Sequence, residues 1–355
     1  MNKKVGIVLI NFQNYAERFL LPCRDSLRCQ DYPADLINVY IIDNASTAET
    51  LEYLRVNYPE AKILPRLDGN YAAANNLGFA EAKADGCDYL LTVNMDTRME
   101  STWLRELVAA LENNPEAGIA QSKILLLPRT AEEKESPKIN SLGNRVHFLG
   151  FGFTSAYGEA DREISGYPEI AGYASGCSFI IRPEVFTKIG GYNEEYYMYH
   201  DDLEISLKVK LAGYKIILAP RSVIYHQYEF SRSTKMIYYM ERNRYLTIMT
   251  FYPAYLVFLI ILPCIIMDLG MFFYSIIRGW FKEEMKVYRY FLRFKNYSLV
   301  EKEKAKIEAF KTVPFSKIAK NFVGKIEFVE IANPILKYIV NPVFNLYWRL
   351  IRKIV

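Results

Sequence analysis

Polar side chains follow three apolar segments of the chain, at the points where we predict that strands of a sheet end. Asn11 ends "KVGIVLIN", Asp43 ends "INVYIID", and Asn94 and Asp96 follow "YLLTV". Helix-like segments of about 10–15 residues separate these strands, which is typical of a parallel α/β sheet. Ligands of such sheets bind at the carboxyl ends of the strands. We therefore expect these four side chains to share one site.

Asp96 and His226 are the candidate metal ligands. A carboxylate at a sheet crevice suits Mg²⁺ or Mn²⁺, because these cations prefer hard oxygen ligands such as carboxylate and phosphate. His226 ends the predicted strand "SVIYH" and is compatible with metal ligation, although a hydrogen-bonded structural histidine is as common. For Asp96 the alternative is a turn in which it only caps a helix. Asn94 carries no charge, so we expect it to hydrogen-bond a ligand.

Asp43 is a candidate for nucleoside binding. In a dinucleotide-binding domain it would hold a ribose, but "INFQNYAER" after the first strand lacks the glycines of that motif. We therefore expect no nicotinamide cofactor. Asp43 can still receive the base or ribose of another nucleotide, and the alternative is an N-cap of the following helix.

Three carboxylates follow a tyrosine-rich segment in "YYMYHDDLEIS", namely Asp201, Asp202 and Glu204. The helix dipole favours acids at a helix start, but this explains one or two of them rather than a cluster. One of these acids is a candidate general base, because like-charged neighbours raise the pKa of a carboxyl.

Arg242 and Arg244 lie in "YYMERNRY", just before a long apolar segment. Guanidinium groups bind phosphates in a bidentate manner, which would suit a substrate. Anchoring to anionic lipid is an equal alternative.

Residues 251–277 carry a single charge, Asp268, over 27 residues, which exceeds the ~20 residues needed to span a bilayer. Both flanks are basic, so a single span would leave one positive flank on the wrong side of the membrane. Pro263 and Asp268 lie near the middle, where a helix would kink. We therefore favour a hairpin or re-entrant pair over one full span, with a buried soluble helix pair as a third possibility. This divides the chain into 1–245, 246–280 and a basic, amphipathic helical region over 281–355, whose last helix would lie in the membrane interface.

The 355-residue chain is 51% hydrophobic and 15% aromatic, with five cysteines and no CxxC pair. We expect reduced thiols in a cytosol-facing protein, and residues 1–20 do not have the pattern of a signal peptide. Residues 278–355 contain 17 Lys and Arg against 7 Asp and Glu, whereas the first 250 residues are net acidic. Nucleic acid or anionic lipid would each explain the basic tail. Because the α/β part is acidic, we expect no nucleic-acid partner.

Taken together, the motifs resemble the inverting family 2 glycosyltransferases of the GT-A fold, a Rossmann-like nucleotide-diphospho-sugar transferase domain, and especially their rhamnosyltransferase-like and galactofuranosyltransferase-like members. The resemblance covers roughly residues 4–245. The matching segments, in order, are "IVLIN", "DNAS", "YAAANNLG", "LLTVNMD", "SGCSFIIRPEVFTKIGGYNEEYYMYHDDLEISLKVKLAGYK", a strand-end histidine and "YYMERN". The chain departs from the family pattern at Asp201 and Glu204, which replace the usual Glu and Asp, and at Asn70, which replaces a glycine.

The resemblance implies a role for each candidate. The implied catalytic residues are Asp202, as general base, and Asp201. The implied nucleotide-sugar contacts are Asn11, Asp43, Asn75, Asn94 and Asp96. The implied metal ligands are Asp96 and His226, and the implied acceptor or phosphate contacts are Glu204, Arg242 and Arg244. The cofactor would be a divalent metal, Mg or Mn.

The implied reaction moves a sugar, with inversion, from a UDP- or dTDP-sugar to a glycan or a polyprenyl-diphosphate-linked acceptor. The apolar segment adds membrane lipid as a partner and places the catalytic domain on the cytoplasmic side of the cell membrane, with a homo-oligomer left open. One alternative is a membrane-bound glycan- or nucleotide-binding protein without activity. The other is a sugar-nucleotide pyrophosphorylase, although the glycine-rich basic loop typical of those enzymes is missing after the first strand.

Overall fold

The computed structural model of the chain describes residues 3–228, 234–327 and 334–355. Eleven strands are found in these ranges. They are β1 Val5–Phe12, β2 Ile37–Asn44, β3 Lys62–Arg66, β4 Tyr89–Val93, β5 Thr97–Met99, β6 Ala117–Leu126, β7 Ile139–Ser141, β8 Asn144–Val146, β9 Gly152–Thr154, β10 Ser178–Ile181 and β11 Lys215–His226.

Thirteen α-helices are found in the same ranges. They are α1 Tyr15–Arg28, α2 Ala48–Asn57, α3 Tyr71–Ala84, α4 Trp103–Glu112, α5 Ala131–Glu135, α6 Pro183–Lys188, α7 Asp201–Leu211, α8 Thr234–Phe251, α9 Ala254–Ile277, α10 Phe281–Phe291, α11 Phe294–Phe310, α12 Phe315–Ala319 and α13 Asn341–Ile351.

One mixed sheet forms the centre of the fold, with the strand order β3-β2-β1-β4-β10-β6-β11-β5 and β7 paired to β6. The first four strands run parallel, as predicted, whereas β10 runs antiparallel between β4 and β6. All five residues of β4 and all but the last of β1 are buried, because helices cover both faces of the sheet. Helices α1 and α4 pack on one face, and α3, α6 and α7 pack on the other.

Three details of the α/β part differ from the sequence prediction. The ten-residue strand β6 was missed, because Gln121, Ser122 and Lys123 interrupt its apolar run. Their side chains are buried and satisfied inside the fold; the indole of Trp103, for example, donates to Ser122 Oγ at 2.9 Å. Two short strands were predicted where β11 is one strand with a bulge between Ala219 and Val223. The predicted loop near residue 130 contains the short helix α5.

The predicted hairpin within residues 251–277 is wrong. Ala254–Ile277 is one continuous helix of 24 residues that contains Pro263. Asp268 does not mark a turn, because its Oδ1 accepts a 2.9 Å hydrogen bond from the guanidinium of Arg244 on α8. Within the described ranges, α9 is the one helix long and apolar enough to cross a membrane, and only 17% of its most apolar window is buried.

The C-terminal helices share a hydrophobic core with the α/β part. Phe148 stacks on Trp348 of α13 with ring centroids 5.1 Å apart. Leu203 and Leu207 of α7 lie in the same cluster as residues of α8, α9 and α12. Helix α13 buries Phe344, Trp348 and Ile351 while its opposite side exposes apolar residues, so it has apolar surface on two sides. The helix predicted to lie in the membrane interface corresponds to residues 333–355, of which Asn333 falls outside the described residues.

A buried ion cluster links α7 to α11. Lys208 Nζ lies 2.5 Å from Glu204 Oε1 and 2.5 Å from Glu303 Oε1, and these side chains are 1%, 1% and 6% exposed. One ammonium between two buried carboxylates holds the two helices together, because it is the cation of Glu204 on α7 and also pairs with Glu303 on α11.

We predict that Lys208→Ala lowers the free energy of unfolding by about 3–5 kcal/mol, since it leaves the buried Glu204 without a cation and removes the bridge to Glu303. Urea unfolding of the detergent-solubilised protein measures this. Lys306→Ala is the matched control, because Lys306 also pairs with Glu303, at 3.0 Å, but is 66% exposed; its effect should stay below about 1 kcal/mol. Equal stability of the two variants would contradict the proposed linkage.

Candidate functional site

Asn11 and Asp43 lie side by side at the carboxyl ends of β1 and β2, as predicted. Asn11 Nδ2 donates to Asp43 Oδ1 at 2.7 Å, and the hydroxyls of Ser46 and Thr50 each donate to Asp43 Oδ2 at 2.6 Å. Neither side chain has exposed surface. Both therefore organise the turn after β2, and direct contact of Asn11 or Asp43 with a nucleoside stays a prediction.

Asp96 and His226 come together where β4 and β11 end. His226 Nε2 lies 3.1 Å from Asp96 Oδ2, and Asn140 Oδ1 holds the other ring nitrogen of His226 at 2.9 Å. The other oxygen of Asp96, Oδ1, is buried and has no hydrogen-bond partner among the described residues. Burial and then the neighbouring Asp96 raise the pKa of the Tyr15 hydroxyl, so Tyr15 also lies close to this carboxylate. A buried carboxylate oxygen without a partner is costly unless a ligand satisfies it, which makes Asp96 a candidate to receive one.

Asn94 and Asn75 occupy different environments. Asn94 is half-buried, and its Oδ1 accepts a 3.1 Å hydrogen bond from the hydroxyl of Tyr71. Asn75 is fully buried, donates to the Tyr71 carbonyl and accepts from Thr92. Asn75 therefore joins α3 to β4, and its predicted contact with a nucleotide sugar stays a prediction.

Asp201 and Asp202 begin α7. Asp202 is half-buried, and its carboxylate accepts hydrogen bonds from the backbone N–H groups of Gly176, at 3.1 Å, and Leu203, at 2.9 Å. Burial raises the pKa of Asp202 to about 6, despite these hydrogen bonds. Burial and then the charge of Asp202 raise the pKa of Asp201 well above its usual value. Of the two, Asp202 is the better-exposed carboxylate with a pKa near neutral pH, as a general base requires.

Gly176 allows this close approach. A Cβ on Gly176 would lie 3.3 Å from the Cβ of Asp202, which is tighter than ordinary contact. The next residue, Cys177, accepts from the backbone N–H of Asn94. The Gly176–Cys177 segment therefore contacts both the Asp202 group and the strand end that carries Asp96.

The loop before α7 has an unusual backbone. Tyr197, Tyr199 and His200 all have positive φ values, of 63°, 63° and 60°, a region that residues with side chains rarely adopt and that costs about 1–3 kcal/mol each. Burial lowers the pKa of His200 to about 4, and its Nε2 lies 3.2 Å from the Gly150 carbonyl. Because the strained backbone of Tyr197, Tyr199 and His200 is unfavourable by itself, other contacts must hold this loop in place.

Helix α8 supplies those contacts through Arg242 and Asn243. The buried Asn243 amide nitrogen lies within 2.7–2.8 Å of three backbone carbonyls of the loop, those of Tyr196, Met198 and Tyr199. Arg242 donates to the carbonyls of Glu195 and Tyr196 at 2.6 and 2.9 Å. The two side chains offset the strain of the loop and so fix where α7 begins.

The three predicted acceptor or phosphate contacts already have partners within the chain, and their contact with an acceptor stays a prediction. Glu204 is committed to the buried cluster with Lys208, and burial raises its pKa to about 7. Arg244 is 1% exposed and pairs with Glu241 and Asp268 at 2.9 Å. Arg242 holds backbone carbonyls, as described above. All three side chains therefore have structural partners in place of an open binding surface.

The sequence analysis missed Asn243, Tyr71 and Asn140. Asn243 lies inside "ERNR", a segment selected for its arginines. Tyr71 belongs to the matched "YAAANNLG" segment, in which only Asn75 was predicted to contact a ligand. Asn140 lies in an irregular stretch, and no sequence pattern connects it to His226.

Residues 7–190, more than half of the chain, match the family described as glycosyl transferase family 2. The chain belongs to this family. Over 206 residues it is 26% identical to an N-acetylglucosaminyl-diphospho-decaprenol L-rhamnosyltransferase of Mycobacterium tuberculosis, which covers 54% of this chain and 66% of the relative. Over 230 residues it is 29% identical to the O-antigen biosynthesis protein RfbC of Myxococcus xanthus, covering 60% of this chain and 16% of the relative. The chain thus spans less than two thirds of the length of either relative.

A crystal structure of GalNAc-T7 with UDP, GalNAc and Mn²⁺ is similar in fold. It matches with a TM-score of 0.55 at 16% identity, and the match covers 71% of this chain and 49% of that one. The predicted GT-A fold followed by a helical C-terminal region is confirmed. Membership of glycosyl transferase family 2 supports glycosyl transfer as the class of reaction.

We predict that Asn243→Ala releases the loop before α7, because three backbone carbonyls lose their partner. Hydrogen–deuterium exchange should speed up about tenfold or more over residues 195–203, while β1 and β4 stay protected. Asn113→Ala, at an exposed position after α4, is the matched control. Unchanged exchange of the loop in Asn243→Ala would show that other contacts hold it.

Proposed function

We propose that this family 2 protein transfers a sugar from a nucleotide-sugar donor to an acceptor hydroxyl, with inversion and with a divalent metal. The observation that carries this is the difference between the environments of two carboxylates, Asp96 and Asp202. Asp96 at a strand end has an unpartnered buried oxygen, whereas Asp202 at a helix start has a raised pKa. One carboxylate suits a metal ligand and the other suits a general base.

The donor set around Asp96 fits a magnesium or manganese ion with few protein ligands. Within the described ranges, no group of three or more His, Cys, Asp or Glu side chains could hold a metal ion alone. Asp96 and His226 would hold it together, with phosphate oxygens and water as the remaining ligands, as is usual for Mg²⁺ at phosphate sites. When bound, the ion would neutralise charge on the departing nucleoside diphosphate.

A cavity of about 610 Å³ lies beside His226. Arg129 and Lys138 contribute cations to its lining, and Tyr157 and Tyr228 contribute aromatic rings. A cavity of this size with cations and aromatic rings suits a ligand that combines phosphate and sugar groups.

Asp202 would act on the acceptor. Its carboxylate takes the proton of the acceptor hydroxyl while that oxygen attacks the anomeric carbon of the donor sugar. The bond from that carbon to the diphosphate oxygen breaks, and the configuration at the carbon inverts. The fixed loop before α7 holds Asp202 in one position, which favours an in-line attack.

The C-terminal region supports action at a membrane. Helix α9 exposes most of its apolar surface, for example Phe258 at 76% and Ile277 at 79%, and the basic tail suits anionic lipid. Together with the diphospho-decaprenol substrate in the name of the mycobacterial relative, this supports a lipid-linked acceptor and a catalytic domain on the cytoplasmic face. The donor would be a UDP- or dTDP-sugar.

We predict metal-dependent release of nucleoside diphosphate from one donor of a UDP-, dTDP- and GDP-sugar panel, with total membrane lipid as the source of acceptor. EDTA and Asp96→Asn should each abolish the release, and Asp202→Asn should slow it by about 10²–10⁴-fold. Asp88→Asn, at an exposed site, is the control and should match the wild type.

Each outcome of this assay is informative. Full activity in EDTA would remove the metal from the mechanism. Full activity of Asp202→Asn would remove Asp202 as the base. Nucleotide-sugar binding without release from any donor would favour a binding protein over a transferase.

The rate should also depend on pH. Because only the ionised carboxylate of Asp202 can accept a proton, kcat/KM should fall about tenfold per pH unit below pH 6 and level off above pH 7. Donor affinity measured over the same range separates this effect from weakened binding. A flat profile between pH 5 and 7 at constant donor affinity would contradict the role of Asp202.

A further inference from the structure

A second cavity, of about 450 Å³, lies between α8 and α10, next to the end of the apolar helix α9. Its volume is within the range of about 300–1,000 Å³ typical of small-ligand pockets. Three cations, three aromatic rings and one acid line it, namely Lys286, Arg289, Arg293, Tyr238, Tyr239, Tyr290 and Glu283. We call it the basic–aromatic pocket.

The pocket carries excess positive charge. Lys286 is neutralised by Glu283, whose two oxygens lie 2.8 and 2.9 Å from its Nζ. Arg289 and Arg293 are exposed and make no ion pair within the described part of the chain. Two unpaired guanidinium groups in one concave site suit an anion with several oxygens, because each guanidinium can bind phosphate through two N–H groups.

Contacts with Arg242 and Glu195 fix the three tyrosine rings of the pocket in place. The guanidinium of Arg242 lies 5.4, 5.1 and 5.2 Å from the ring centres of Tyr238, Tyr239 and Tyr290. The Tyr290 hydroxyl donates to Glu195 at 2.7 Å. Rings fixed in this way present a preformed surface, which lowers the entropy lost when a ligand binds.

The pocket connects to the loop that positions the catalytic acids. Tyr239 stacks on Tyr197 with ring centres 4.8 Å apart and an interplanar angle of 8°. Tyr197 is one of the left-handed residues of that loop, and its hydroxyl donates to the Asp68 carbonyl. A ligand in the pocket would therefore contact a ring, Tyr239, that packs against the loop before α7.

Two exposed apolar side chains, which we call the apolar rim, flank Arg293 in the chain. Leu292 and Phe294, on either side of Arg293 in the chain, are 79% and 90% exposed. Large exposed side chains beside cations are typical of surfaces that meet the headgroup region of a membrane. The pocket thus offers cations, with exposed apolar side chains next to one of them in the chain, which suits an anionic headgroup on a lipid chain.

We infer that the basic–aromatic pocket binds the diphosphate of a lipid-linked acceptor, with Arg289 and Arg293 on the phosphates and the lipid chain along the apolar rim. This rests on the proposed function and deepens it, because it names a site for the acceptor's headgroup. It also replaces Arg242 and Arg244 as the phosphate contacts, since both are committed to structural partners.

The test is binding of radiolabelled farnesyl diphosphate to the full chain in phosphatidylcholine nanodiscs. Arg289→Ala/Arg293→Ala should weaken binding about tenfold or more, and Arg289→Lys/Arg293→Lys should restore part of it. Arg349→Ala/Arg352→Ala is the matched control. It removes the same charge from exposed arginines at the end of α13 and should bind as the wild type does.

Three results would overturn the inference. One is wild-type affinity in Arg289→Ala/Arg293→Ala, and another is an equal loss in the α13 control, which would indicate general attraction to charge. The third is competition by inorganic diphosphate or farnesyl monophosphate as strong as that by farnesyl diphosphate, since neither combines a lipid chain with a diphosphate. Donor binding in the same nanodiscs reports on the Asp96 site. If the donor did not bind while farnesyl diphosphate still bound in an arginine-dependent way, the proposed function would be rejected and the inferred role of the pocket in diphosphate binding would stand.

Discussion

The position of the candidate base depends on one contact, in which the Asn243 amide binds three backbone carbonyls of the loop before α7. The loop before α7 contains three residues with left-handed backbones, a conformation that persists only where surrounding contacts enforce it. Asn243 and Arg242 provide those contacts from α8. The position of Asp202 is thus set by a helix that follows the family 2 match in the chain. Helix α8, the first of the C-terminal helices, therefore helps to position the candidate base.

The two candidate carboxylates, Asp96 and Asp202, differ in chemistry because their surroundings in the fold differ. Asp96 follows a buried strand, and a histidine fixed by Asn140 holds one of its oxygens while the other is left unpartnered. Asp202 stands at a helix start, where backbone N–H groups stabilise its charge but burial raises its pKa more. Under the proposed function, environments that differ in this way would let two like residues act as metal ligand and base. The Gly176–Cys177 segment keeps them in a fixed relation.

The sequence predicted the strands that carry Asn11, Asp43 and Asp96, because their apolar runs are continuous and end in polar residues. It did not predict β6, since the polar residues of that strand are satisfied by partners distant in the chain. The same limit explains Glu204 and Arg244. Lys208, the partner of Glu204, also pairs with Glu303, which lies 95 positions further along the chain, and Arg244 pairs with Asp268, 24 positions away. It also explains α9. Asp268 suggested a break in this apolar segment, but it pairs with Arg244 of α8 and lies inside one continuous helix. Burial of a charged residue depends on its partner, and periodicity carries no information about that partner.

The division of labour between Asp96 and Asp202 is tested most directly by locating the metal. Crystals of the protein with a nucleoside diphosphate and Mn²⁺ would be measured at the manganese absorption edge. We predict one anomalous peak within coordination distance of Asp96 Oδ1, with Asp202 left uncoordinated. A peak between Asp201 and Asp202, with Asp96 unliganded, would contradict the assignment of metal and base.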